Sequence, residues 1–161
     1  MQVYRITETK YAEDLSGTGA QIAGGRWNRK GMPVVYAAEN RALAALEKLV
    51  HFPIKIIPVE RLSISTIHIP DDFPVPDVSE LLDGKPLREA IPYWSKRESL
   101  LQTVRVGSKW VRSKLSIAFK TPSVVMPQEY NFVLNPRHPD FHNVRIIDVQ
   151  PFQFDERLIA R

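Results

Sequence analysis

Three side chains in the stretch GGRWNRKGMPVVYAAENRALAALEKLVH, residues 24–51, have the types and spacing to do chemistry together: Arg26, Tyr36 and Glu47. A guanidinium presents a planar fork of donors suited to an anion. A phenol offers a ring face, and a carboxylate can face a developing positive charge. Each sits on a different kind of element. Gly24-Gly25 suits a tight bend that delivers Arg26 and Trp27 to a surface. Pro33 bars a helix, and the β-branched and aromatic run Val34-Val35-Tyr36 favours a short buried strand. From Asn40 onward Ala42, Leu43, Ala45, Leu46, Leu49 and Val50 fall on one arc of an amphipathic helix. Glu47 stands beside Leu43 at the edge of that arc, opposite Arg41 and Lys48. A half-buried carboxylate needs a partner, because desolvating an unpaired ion is costly. One reading is a structural tie to Arg26 or His51. The other is a site in which Arg26 binds an anion, Tyr36 offers its ring and Glu47 meets positive charge. Spacing alone leaves both open.

Composition narrows the classes of function. The chain has 161 residues, enough for one well-buried domain and too few for two ordinary ones, so residues 1–161 are read as a single domain. A hydrophobic share of 43% with 25% charged residues is that of a soluble globular protein. No apolar run reaches the ~18 residues of a membrane span, and the polar start MQVYRITETK lacks a signal peptide's apolar core, so cytoplasm is the expected address. Without cysteine there is no thiolate nucleophile, disulfide or zinc–cysteine site. His51, His68, His138 and His142 include no HExxH pair, and no metal is expected. The net charge of +4 is concentrated between residues 96 and 120, where seven basic residues (Lys96, Arg97, Arg105, Lys109, Arg112, Lys114 and Lys120) face the single acid Glu98. Such a cluster is a solvated face, or it steers an anionic ligand, an acidic protein or nucleic acid. Gly17 and Gly19 lack the third glycine and preceding strand of a dinucleotide fingerprint.

The elements that must position these residues follow in order. Residues 3–6 read as a strand containing Arg5, and 11–22 as a Ser- and Gly-containing loop. Residues 54–57 and 62–69 read as strands, the second with a change of phase that suggests a bulge. A proline-rich loop, 70–76, precedes a short helix at 78–82, and the acids Asp71, Asp72 and Asp77 read as turn and cap chemistry. A helix is expected over 98–113, with Gly107 as a weak spot. Residues 115–119 read as a strand that Pro122 ends, leaving Ser123 at its mouth. Residues 124–126 continue extended, 129–134 form a strand, 135–140 a rigid turn-rich loop, and 144–149 and 151–154 the last strands. Many strands, few helices and no βαβ alternation predict an α+β fold with two twisted sheets.

Taken with TPSVVMPQEYNFVLNPRHPDF at residues 121–141, the series GGRWN, VVYAAE and ALAALEKLVH makes the chain resemble the RES domain family, named for an Arg, a Glu and a Ser. Its members are toxins of RES-Xre toxin–antitoxin pairs. The resemblance runs from Val3-Tyr4-Arg5-Ile6 through Pro139-Asp140-Phe141. It implies a fold similar to ADP-ribosyltransferases and an activity that breaks down NAD+, which is substrate, no cofactor being needed. Carried over by position, the family Arg corresponds to Arg26, the aromatic to Tyr36, the Glu to Glu47 and the Ser to Ser123. Glu39 competes for the Glu assignment on the same stretch, and Glu47 is preferred for its place at the helix's apolar edge; Glu39 reads as a first-turn charge favouring the helix dipole.

The resemblance gives these residues roles. Nicotinamide leaves ribose already carrying a positive charge, so no acid is needed to protonate the leaving group, unlike an ordinary glycosidase. Glu47 would hold ribose hydroxyls and stabilise an oxocarbenium-like sugar. Arg26 would grip phosphate, Tyr36 would stack on the cationic ring, and Ser123 would hydrogen-bond the ribose or carboxamide. Arg5, Trp27 and Asn135 are expected to shape the pocket. Without an adjacent His-Asp pair, Ser123 is not read as a triad nucleophile. The implied partner is an Xre-type helix-turn-helix antitoxin, through which alone DNA would be contacted, with a homodimer within that complex among the expected arrangements and no membrane association. Water, phosphate or a protein side chain could accept ADP-ribose, the last making an ADP-ribosyltransferase. A non-enzymatic basic module is the contrasting reading; it predicts binding that falls steeply with salt and lacks the exposed aromatics of single-strand binders.

Overall fold

Strand β1 (Gln2–Glu8) runs down the middle of a six-stranded antiparallel sheet and is paired on one side along its length with β3 (Leu62–His68). On its other side it meets β2 (Val35–Ala38) at Tyr4↔Ala38. The remaining strands are β4 (Ala118–Pro122), β5 (Tyr130–Leu134) and β6 (Arg145–Phe152), giving the order β4-β5-β2-β1-β3-β6. The computed structural model describes residues 1–51 and 62–159.

The fold is α+β, as composition and pattern indicated, but among the described residues there is one sheet and not two. The expectation of two sheets has a physical basis: β4-β5-β2 and β1-β3-β6 are each well laddered, and a single register pair joins them. The phase change in β3 is real, since its register with β6 shifts between Thr66 and Ile67.

Side-chain alternation sorts the core into layers. Val3, Val35, Ala37, Phe132 and Leu134 point to one face, covered from outside by Phe73, Val75 and Phe141. The opposite face carries two separate clusters. Helix α2 (Arg41–Val50) lays Leu43 and Ala44 on Ile6, Ala38, Leu62 and Ile64. Helices α3 (Leu87–Ala90) and α4 (Leu100–Ser113) close over Phe119 and Val133 with Trp27, Trp94 and Trp110. Phe119 meets Trp110 and Trp27 edge-on, with ring centroids 4.7 and 5.5 Å apart, the arrangement ring quadrupoles favour. Each fully buried large side chain such as Leu43 or Phe119 contributes about 1.5–3 kcal/mol. Gly107 is more than a weak spot in α4: a Cβ there would lie 1.9 Å from the Trp27 carbonyl oxygen, so the missing side chain lets the helix touch the loop backbone.

Several boundaries differ from expectation. Residues 11–22 contain helix α1 (Thr18–Ala23) and part of a 3₁₀ turn (Thr9–Tyr11). Helix α4 begins at Leu100 after a 3₁₀ turn (Arg97–Ser99). Strand β4 starts later than 115 because Lys114 takes a left-handed cap and Ser116 is held by the Trp110 indole at 2.9 Å; it also includes Pro122. The helix expected at 78–82 is a 3₁₀ turn (Glu80–Leu82), since the Val78 amide is drawn to the Lys120 carbonyl. The two final strands are one, β6, in which Pro151 is tolerated at the sheet edge. Beyond it lies α5 (Glu156–Ile159). The strand expected at 54–57 lies outside the described residues.

Candidate active site

The cavity lies between the two clusters on that shared face, about 670 Å³ in volume, with Tyr4, Ile6, Tyr36, Ala38, Asn131 and Val133 from the sheet, Ala44 and Glu47 from α2, and Arg26 and Trp94 among its lining. Its lining surface is mainly apolar, with Arg26, Tyr36, Glu47, Thr121 and Asn131 among its polar residues.

Arg26 is set by the bend before it. Gly24 takes a positive φ of 73°, which favours glycine, and the Gly25 amide closes a tight loop on the Asn28 carbonyl at 3.0 Å. Gly25 is also a point of close approach, since a Cβ would fall 2.6 Å from the Tyr36 hydroxyl. The Arg26 guanidinium donates to the carbonyls of Trp94 (2.7 Å) and Ser95 (3.1 Å), which fix its direction and leave other donors of the fork unused. Partial burial lowers its pKa from the ordinary value, while Tyr36 and Glu47 act in the opposite direction.

Tyr36 is anchored at its tip. Its hydroxyl donates to Asn28 Oδ1 (2.8 Å) and accepts from the Trp27 amide (3.0 Å), while Asn28 in turn donates to the carbonyls of Ala20 and Met32. Burial pushes the phenol pKa well up. The hydroxyl is therefore spent on structure, and what Tyr36 gives the cavity is its ring.

Glu47 rises from α2, whose first turn is capped by Asn40 accepting from the Leu43 amide at 2.8 Å. No ion pair joins Glu47 to Arg26 or His51. The partners are neutral donors instead: Ser123 Oγ at 2.7 Å and Asn131 Nδ2, both on Glu47 Oε1. Oε2 receives neither. Ser123, wholly buried, is a hub, because its oxygen also accepts from the amides of Val125 and Met126 at 3.0 Å each. Those bonds bend residues 124–126 where an extended run was expected. With its proton on Glu47 and its oxygen on two amides, Ser123 orients the carboxylate and has no free proton for a ligand.

The other candidates fall differently. Glu39 accepts from the Tyr130 amide at 2.7 Å, precedes the Asn40 cap and so stands outside the first turn of α2. Arg5 lines the cavity, but its guanidinium donates to the carbonyls of Tyr11, Ala12 and Asp14, strapping the following loop; burial lowers its pKa. Trp27 lines the cavity while its ring belongs to the core. Asn135 is not part of the cavity lining. It is fully buried, donates to the Val111 carbonyl and accepts from the Arg137 amide, so it ties α4 to the strand end instead of shaping the pocket. Sequence reasoning missed Asn131 and Thr121, which face each other across β4 and β5. The available signal was an amide on the same side of β5 as the inward-facing Val133.

The cleft thus gathers one oriented carboxylate, a guanidinium and a ring face on a single antiparallel sheet. The RES domain pattern matches residues 2–155, and the chain belongs to the RES domain family. It is 35% identical over 153 residues to the Prs ADP-ribosylating toxin of Sphingobium sp. (strain YBL2), covering 95% of this chain and 91% of that one. It is likewise 35% identical over 161 residues to Toxin Res of Photorhabdus laumondii, covering 99% and 97%. Among solved structures, the crystal structure of the M. tuberculosis MbcT–MbcA toxin–antitoxin complex contains a chain of the same fold, with TM-score 0.67 at 18% identity over 99% of this chain and 89% of that one. No helix among the described residues is long and apolar enough to cross a membrane.

Proposed function

We propose that this protein is the toxin of a toxin–antitoxin pair and that it cleaves the bond between nicotinamide and ribose in NAD+. The observation that carries this reading is the Glu47 carboxylate, held through one oxygen by Ser123 and Asn131, in a mainly apolar cavity that Arg26 and the Tyr36 ring also line. In the reaction the C1′–N bond breaks with its electron pair going to the pyridinium nitrogen. Neutral nicotinamide leaves, and positive charge passes to the sugar. Glu47 Oε2 faces that charge; a preorganised carboxylate in a water-poor cleft stabilises it without reorganising. The free donors of Arg26 take the pyrophosphate, and Tyr36 supports the cationic ring. Water as acceptor gives ADP-ribose, and phosphate gives its 1″-phosphate.

Incubation of the purified protein with NAD+, followed by mass spectrometry with and without phosphate, should show nicotinamide released and identify the acceptor. Glu47→Gln should reduce release by about 10²–10³-fold; undiminished turnover would sink the assignment. The name of the Sphingobium relative favours a second reading, transfer of ADP-ribose to a protein, which would add its mass to a target while sharing the first bond cleavage. The structural relative was solved with an antitoxin, and a small helix-turn-helix protein of the Xre type is the partner expected here. Its co-purification with loss of NAD+ cleavage would test that. The cytoplasm is the compartment this reading requires.

A further inference from the structure

Thr121 is 1% exposed, lines the cavity, and its hydroxyl has no hydrogen-bond partner among the described residues. Buried hydroxyls are almost always paired, because an unpaired one forfeits its hydration without return. The position is specific. Thr121 is directly across the ladder from Asn131 and two residues before Ser123, and those two side chains both hold Glu47 Oε1. Thr121 thus neighbours the two donors that hold Glu47 without bonding the carboxylate itself, whose second oxygen those donors leave open.

Building on the NAD+-cleaving reading, we propose that Thr121 is a substrate-binding residue. Its hydroxyl and Glu47 Oε2 together receive the vicinal diol of the nicotinamide ribose, one hydroxyl each. A carboxylate oxygen can only accept, so it accepts a hydrogen bond from one sugar hydroxyl, whereas the Thr121 hydroxyl both donates and accepts and suits the other. The pair selects a ribose over its deoxy counterparts and holds C1′ in place while its bond to nitrogen breaks.

Thr121→Val keeps the shape and removes the hydroxyl. Its signature differs from that of a structural residue: thermal stability stays the same or rises, since an unpaired buried polar group is lost, while the KM for NAD+ rises about tenfold. Wild type should prefer NAD+ over both its 2′-deoxy and 3′-deoxy nicotinamide-ribose analogues. In Thr121→Val the preference over one of the two should shrink towards unity, and Thr121→Ser should restore it. Unchanged KM and unchanged preferences in Thr121→Val would overturn the proposal, as would a loss of stability with an even loss of turnover on all three substrates. If wild type releases no nicotinamide, the functional reading itself fails. Thermal shifts of wild type and Thr121→Val with ADP-ribose test the diol contact without turnover, and equal shifts would overturn it.

Discussion

At the scale of single residues, the site is decided by which hydrogen-bond valences are already spent. Ser123 illustrates this. Its hydroxyl holds Glu47 and a backbone bend at once, so Ser123→Ala should lower kcat and raise KM together by reorienting the carboxylate that also holds the ribose, and should cost about 1–3 kcal/mol for the amides left unpaired. Steady-state kinetics with denaturant unfolding would separate the two; a KM defect alone would mean direct contact with substrate. Tyr36 makes a prediction in pH. Its phenol keeps its proton in the folded protein above the ordinary value of 10.0, where the unfolded chain would release it. That contribution to stability is complete below pH 10 and is lost as pH rises beyond it. Tyr36→Phe should therefore begin less stable but decline less steeply between pH 10 and 12, as unfolding curves across that window would show. Arg26, Tyr36 and Glu47 could be singled out in the sequence because a bend, a strand and a helix edge mark them locally, and Ser123 through the family resemblance. Asn131 and Thr121 were not, because their importance depends on partners across the sheet, and Glu47 is 84 residues from Asn131.

At the scale of elements, the helices act by what they leave out as much as by what they bury. Gly107 of α4 admits the Trp27 backbone, and through it the loop that carries Arg26. Gly107→Ala should cost at least the 1–3 kcal/mol typical of overpacking and should depress nicotinamide release by displacing Arg26, with melting temperature and turnover falling together. Sequence periodicity located α2 and α4 well because each has one apolar face. It missed α1, in which no residue is buried, and placed β4 early because a left-handed cap at Lys114 leaves no periodic trace.

At the scale of the molecule, one sheet carries two independent cores on the same face, and the cavity is the space they do not fill. Two sheets were expected from many strands, few helices and no βαβ alternation, a pattern that carries no trace of the single register pair, Tyr4↔Ala38, by which the two halves join. The basic residues Arg105, Lys109 and Arg112 lie exposed along the outer side of α4 and are absent from the cavity lining. Reversing all three charges should leave nicotinamide release within about threefold at physiological salt, where charges beyond ~8 Å are screened. A collapse of activity would place the stripe in substrate capture.

The hydrogen bonds to Glu47 span 76 and 84 residues of chain. A polypeptide emerging from the ribosome thus displays Glu47 long before the two groups that hold its carboxylate have been translated. On the proposed function, a prematurely terminated product ending before β5 would lack Asn131 and should release no nicotinamide from NAD+.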